Sequence, residues 1–306
     1  MKIPNNDKFK IDFVGIGFPK SGSTWLYENL KNHKQITIAK NKETDYFIRD
    51  FTHINPVIKS IRKINDFDSY KKQFDNQEDS TVIKGEFSVN YVFDPTVVDN
   101  LFKHNKNIKI LICIRNPIDY IYSSYMFDKN SYIGHNISDN FREALNKSTR
   151  KDWYHIEKGY FYKWVHPYFS KFSGQIHVIT LNEIKNNPYQ TLKNVCRFLN
   201  IDSSENYLKE IIISKRVNQN KKYRNKYINK IIFFIIELSK KFHLFKLLKY
   251  LIQIDSFLLK FITKYLKVES SYQKINIDDK KYLYNIYKND IDNLEKLIKK
   301  DLSSWK

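Results

Sequence analysis

Gly15-Ile16-Gly17-Phe18-Pro19-Lys20-Ser21-Gly22-Ser23-Thr24-Trp25-Leu26 constrains this 306-residue chain more than any other segment, because it runs the end of an apolar strand into the start of a helix through a tight turn. Gly22 allows close backbone approach, and Ser21, Ser23 and Thr24 offer hydroxyls. The first amides of a helix lack intrahelical acceptors and point out of its end, so the joint is an anion cradle suited to a phosphate. Turn chemistry without a ligand gives no reason for Pro-Lys-Ser-Gly-Ser-Thr-Trp.

The same strand-to-helix order recurs along the chain. Apolar runs at 11–17, 81–85, 108–114 and 175–181 read as buried parallel strands, and 23–32, 117–127, 160–172 and 188–199 show helical spacing. Two of these helices open with a proline, which suits the first helical turn. Such alternation requires crossover connections and a parallel sheet. A hydrophobic content of 42%, with 16% aromatic, is enough to fill a core and excludes a disordered or collagen-like polymer. No repeat of fixed period interrupts the pattern.

Charge bears on partners. Fifty-three Lys and Arg against 33 Asp and Glu leave +20, so anionic ligands or surfaces are expected. Half of that excess lies in 221–268, where twelve basic residues face only Glu237 and Asp255. Its apolar runs are broken by lysines, as in a pair of basic amphipathic helices. That segment reads either as a helical cap with its lysines in water or as a contact for an anionic membrane or glycan. Between 278 and 300 a further amphipathic helix places Tyr282, Ile286, Leu294 and Leu297 at near-helical spacing, which docks it on the core. Cys113 and Cys196 each sit in an apolar run and read as buried free thiols. With no secretory signal and no apolar run of membrane-spanning length, the expected location is a reducing one, the cytoplasm, the alternative being a peripheral position at the inner face of the membrane if 221–268 is a membrane contact.

A nucleoside-triphosphatase loop reads G-x-x-x-x-G-K-S/T, and Gly17 with Gly22 matches its glycine spacing. The lysine position does not match: Ser23 stands there, and the cation is Lys20, ahead of the second glycine. A second motif follows the strand at 108–114, where Arg115-Asn116-Pro117 leads into a helix carrying Ser123. An arginine just before a helix and a serine on its early turns can converge on one phosphate.

Residues 19–26 resemble the 5′-phosphosulfate loop of sulfotransferases that use 3′-phosphoadenosine 5′-phosphosulfate (PAPS), and Arg115 with Ser123 resembles their 3′-phosphate motif. The resemblance is to bacterial sulfotransferase-domain proteins and to the heparan sulfate and glycan branch. It implies a P-loop-like, three-layer α/β fold in one domain over 1–306, its central parallel sheet flanked by helices, with 221–268 a basic helical insertion. It also implies that Lys20 meets the bridging oxygen between phosphate and sulfate, that Ser21, Gly22, Ser23 and Thr24 hold the 5′-phosphate, and that Trp25 lies on the adenosine side. Where many relatives carry a second arginine, this chain has Tyr120.

Asn41-Lys42-Glu43-Thr44-Asp45-Tyr46-Phe47 resembles the stretch that carries the catalytic base in the glycan-modifying branch, which puts Glu43 in that role. A carboxylate suits removal of a hydroxyl proton; the other reading is a loop glutamate paired to a lysine. Lys84-Gly85-Glu86-Phe87-Ser88-Val89-Asn90-Tyr91 resembles a G-E-x-S-P-x-Y pattern expected to line the acceptor pocket, with Glu86 and Tyr91 as substrate residues and Glu86 as the second candidate base. Relatives often place lysine at Phe87 and proline at Val89; Lys84 is a candidate to supply the missing charge. His33, in a stretch resembling L-x-x-H-x-x-I, is expected to be structural. Asn218 and Lys221 fall in a loop resembling the one that closes over the nucleotide.

The expected activity is metal-free sulfuryl transfer from PAPS to a hydroxyl of a carbohydrate or glycolipid. The alternatives are an ATP-dependent P-loop kinase and a non-catalytic membrane or polyanion binder; nucleic acid is not the expected partner.

Overall fold

The computed structural model describes residues 9–54, 64, 66–75, 82–130, 137–212, 221–223, 267–269 and 274–306. Five parallel strands form the central sheet: β1 (Phe13–Gly17), β2 (Ile36–Ile38), β3 (Ile83–Phe87), β4 (Lys109–Ile114) and β5 (Ile176–Thr180), in the order β2-β3-β1-β4-β5. Helices that position the site are α1 (Ser23–Lys31), α2 (Thr96–His104), α3 (Pro117–Lys129), α4 (Phe161–Lys171), α5 (Pro188–Leu199) and α6 (Ile277–Ile298). The expected strands and helices are present, with one shift. β3 runs two residues past the anticipated end because its pairing with β1 continues through Gly15↔Phe87, which draws Glu86 into the strand.

Alternation along each strand feeds two apolar layers, which is why these strands read as unbroken hydrophobic runs. Val14, Ile16, Ile110, Ile112 and Ile114 join the larger core cluster on one face. Phe13, Phe87, Leu111 and Cys113 join the second on the other. Phe13 lies opposite Gly85 and Gly15 opposite Phe87, and any Cβ at either glycine would strike the neighbouring ring. Both cysteines are buried free thiols, as expected.

β1 is central, and the chain fills the β2–β3 side before crossing to β4 and β5. The carboxyl ends of β1 and β4 therefore flank the point where strand order reverses, where open α/β sheets form a ligand crevice. α6 closes one face through Leu283, Tyr287, Ile291 and Leu294. This buried stripe is turned slightly from the expected one: Tyr282, Ile286 and Leu297 flank it, half-buried.

Short strands β6 (Lys221–Tyr223) and β7 (Lys267–Glu269) pair antiparallel, Lys221 opposite Glu269, which brings the two ends of the basic segment side by side. The helices expected within 221–268 lie outside the described residues. Among the described residues no helix is long and apolar enough to cross a membrane.

Candidate active site

As the chain leaves β1, the Phe18 amide donates to the Cys113 carbonyl of β4 at 3.1 Å. The backbone then turns left-handed at Lys20 (φ 64°) and again at Gly22 (φ 99°). For lysine this conformation costs about 1–2 kcal/mol, and such strain persists where the surroundings hold it. Gly22 is the N-cap of α1 and supplies no side-chain cap, so the helix start is open to an anion acceptor. Ser21 is wholly enclosed, its hydroxyl 3.5 Å from the Pro19 carbonyl; Ser23 is buried, and Thr24 half-buried.

The second motif meets the first. Arg115, at the end of β4, donates from Nη1 to the Lys20 carbonyl at 3.2 Å, across 95 residues of sequence. Asn116 caps α3 by accepting from the Ile118 amide at 2.9 Å, and Pro117 fills the first helical turn. Ser123 lies half-buried about two turns along. The Lys20 Nζ stands 4.4 Å from the centre of the Phe127 ring, further along α3. Burial, and then the Arg115 guanidinium, pull the Lys20 ammonium down to about 8, while Asp128 works the other way.

Glu43 also has a left-handed backbone, φ 65°. Its amide donates to the Phe87 carbonyl at the end of β3 (2.8 Å), and its Oε2 accepts from the Val89 amide at 2.7 Å. Its Oε1 meets the Lys42 ammonium, so the carboxylate is held from both sides, with its side chain 32% exposed. The amide at position 89 is available because this chain has valine where a proline would have none. The Lys42 charge reaches Cys113: burial pushes that thiol up to about 12, and the lysine opposes it. The bond to Phe87, which is paired with Gly15, sets the 42–43 turn near the carboxyl ends of β3 and β1.

Glu86 and Tyr91 differ from the sequence reading, which put them on the acceptor pocket. Both side chains are fully enclosed. The Glu86 carboxylate accepts from the hydroxyls of Tyr70 and Tyr91, each at 2.9 Å, from Ser88 at 3.3 Å and from Thr44. Burial raises Glu86 to about 7, opposed by those hydroxyls. The Tyr91 hydroxyl is also within 3.2 Å of the Phe47 amide, so this polar knot fixes the 44–47 loop that carries Glu43. The Trp25 indole is packed within the second core cluster. Lys84 sits near the start of β3, away from the end where the loops gather. Phe87 points into the same cluster as Phe13 and Tyr27, so the end of β3 supplies no cation. His33 is structural, its Nε2 2.9 Å from the Asp202 carbonyl. Asn218 lies outside the described residues, and Lys221 is described only as the first residue of β6.

Sequence reasoning missed two buried charged groups, one on α3 and one in a turn packed against it. Asp128 lies on α3 next to Phe127, and Lys158 lies in the turn Ile156–Gly159 that packs on α3. Nothing in their sequence neighbourhoods marks them, since their burial arises only when α3 and the turn meet.

Comparison with known proteins places these features in context. The sequence profile of the sulfotransferase domain matches residues 10–243. A solved sulfotransferase from Alicyclobacillus acidocaldarius shares the fold, with a TM-score of 0.68 at 23% identity, covering 97% of this chain and 98% of that one. The membrane-associated sulfotransferase kil1 of Dictyostelium discoideum is 29% identical over 116 residues, 38% of this chain. The match spans 22% of the length of that curated relative.

Proposed function

Since the chain belongs to the sulfotransferase domain family, we propose that it transfers a sulfuryl group from PAPS to a hydroxyl of a carbohydrate or glycolipid. The observation that carries this reading is the 3.2 Å hydrogen bond from Arg115 to the Lys20 carbonyl, which joins the two phosphate motifs into one site. The residues fit a nucleotide with phosphates at both ends: an uncapped helix start at Gly22 for one, and the guanidinium of Arg115 with the Ser123 hydroxyl for the other.

Bound PAPS supplies an activated sulfuryl group and a bisphosphate leaving group. Glu43 takes the proton of the acceptor hydroxyl as that oxygen bonds to sulfur. The bond from sulfur to the phosphate oxygen breaks, and its electron pair stays on the phosphate. Lys20 and the amides of α1 meet the charge that builds there. Glu86 orients the Glu43 loop through Thr44 and Tyr91 without touching the reacting atoms.

The test of the nucleotide assignment is calorimetric titration of adenosine 3′,5′-bisphosphate into wild type and Arg115→Ala. Loss of a charged hydrogen-bonding group should weaken binding by about 10- to 100-fold. Equal affinity in the two proteins would remove Arg115 from the site.

A further inference from the structure

Lys158 is enclosed to 1% exposure, and its ammonium has no hydrogen-bond partner among the described residues. A buried cation in that state is expensive unless something compensates it. Its Nζ lies 4.8 Å from the centre of the Phe93 ring. Phe93 packs edge-on against Phe18 at 5.6 Å, and Phe18 directly precedes Pro19 and Lys20. Asp128 stands where the charges of both lysines reach it, so the loop lysine and Lys158 share one buried counter-charge.

The backbone of Lys158 is pinned. His155 caps its turn by accepting from the Glu157 amide, and the Tyr287 hydroxyl of α6 donates to the Ile156 carbonyl at 2.8 Å. Gly159 lies so close under the Tyr287 ring that any Cβ would strike it. α6 and α3 thus hold one lysine, its ammonium without a hydrogen-bond partner among the described residues, at a fixed place separated by the Phe93 ring from Phe18 at the start of the phosphate loop. Such an arrangement spends stability on an available cation, which is expected at a functional site rather than in a packing core.

We infer that Lys158 is a second cation of the site, one that donates to the oxygens of the sulfuryl group while Lys20 serves the bridging oxygen and the phosphate. The inference rests on the sulfuryl-transfer reading above. It gives the site a charge that β3 lacks, because Phe87 turns into the core.

The discriminating comparison is PAPS against adenosine 3′,5′-bisphosphate, which differ by the sulfuryl group. Calorimetry without acceptor would use wild type and Lys158→Met, a change that keeps length and packing. Expected is a loss of about tenfold or more in PAPS affinity, with bisphosphate affinity changed by less than about twofold. Parallel changes for both ligands, or none for either, would overturn the inference and leave the parent reading intact. Failure of wild type to bind either nucleotide would overturn the parent reading instead.

A measurement on wild type covers the case in which the variant does not fold. Burial lowers the Lys158 ammonium to about 7, against Asp128 and Asp152. The other titratable groups around it are His53 and His155, with Lys20 across Asp128. The Lys158 ammonium is lost before that of Lys20, so PAPS affinity should begin to fall as pH rises through about 7, while bisphosphate affinity holds until the Lys20 ammonium is lost near 8. A parallel fall for both ligands would count against Lys158.

Discussion

Glu43→Gln should lower the turnover of sulfuryl transfer by about 10²–10⁴-fold while leaving the fold and nucleotide affinity near wild type. The amide oxygen of glutamine can still accept from the Val89 amide, which Glu43 Oε2 now does at 2.7 Å. The backbone bond from position 43 to the Phe87 carbonyl does not involve the side chain. What is removed is the capacity to take a proton, together with the charge that Oε1 presents to Lys42. Steady-state rates with a saturating acceptor, alongside a melting curve, read the effect. Glu86 is the control: it is fully enclosed, so Glu86→Gln should act on stability and loop order before chemistry. Full turnover in Glu43→Gln together with abolished turnover in a well-folded Glu86→Gln would reverse the assignment of the base.

Lys20→Ala should cost on the order of a hundredfold or more in rate, the scale seen when one preorganised charge is taken from the atoms where negative charge develops. The backbone of the loop should survive. Arg115 donates to the carbonyl of residue 20 rather than to its side chain, and alanine bears much the same left-handed strain as lysine. The charge has a pH signature. Burial first, then Arg115, lower the Lys20 ammonium to about 8 in the free protein, so the cation is present below that pH and fades above it. Bisphosphate affinity in wild type should therefore fall as pH rises through about 8, and the fall should flatten in Lys20→Ala. An equally steep fall in both proteins would place the titrating group elsewhere.

Much of the frame was legible because its signals are local. Four of the five parallel strands announced themselves as apolar runs, while β2, three residues long, did not, and Pro117 and Pro188 marked helix starts that the structure keeps. The loop from Pro19 to Thr24 could be read because a phosphate cradle uses consecutive residues. What stayed hidden arises from residues far apart in sequence. Thr44, Tyr70 and Tyr91 meet around Glu86 only once the 44–47 loop, the short helix Phe67–Lys71 and β3 are assembled, so Glu86 read as a pocket residue rather than a buried anchor. For α6 the helical period was right and the stripe slightly turned, because Tyr282, Leu283, Ile286 and Tyr287 lie on adjoining rows and spacing alone does not choose between them. Lys158 gave no signal, since one lysine in a basic chain is ordinary until its surroundings close over it.

The central claim is that the loop at Lys20 and the arginine at the end of β4 form a single site for a nucleotide phosphorylated at both the 3′ and 5′ positions. Calorimetric binding of adenosine 3′,5′-bisphosphate, set against ATP with magnesium in the wild-type protein, tests it most directly. The account predicts clear binding of the bisphosphate and a marked preference for it over ATP, because Arg115 has a 3′-phosphate to meet only in the first. Preference for ATP with magnesium, or binding of neither nucleotide, would contradict it.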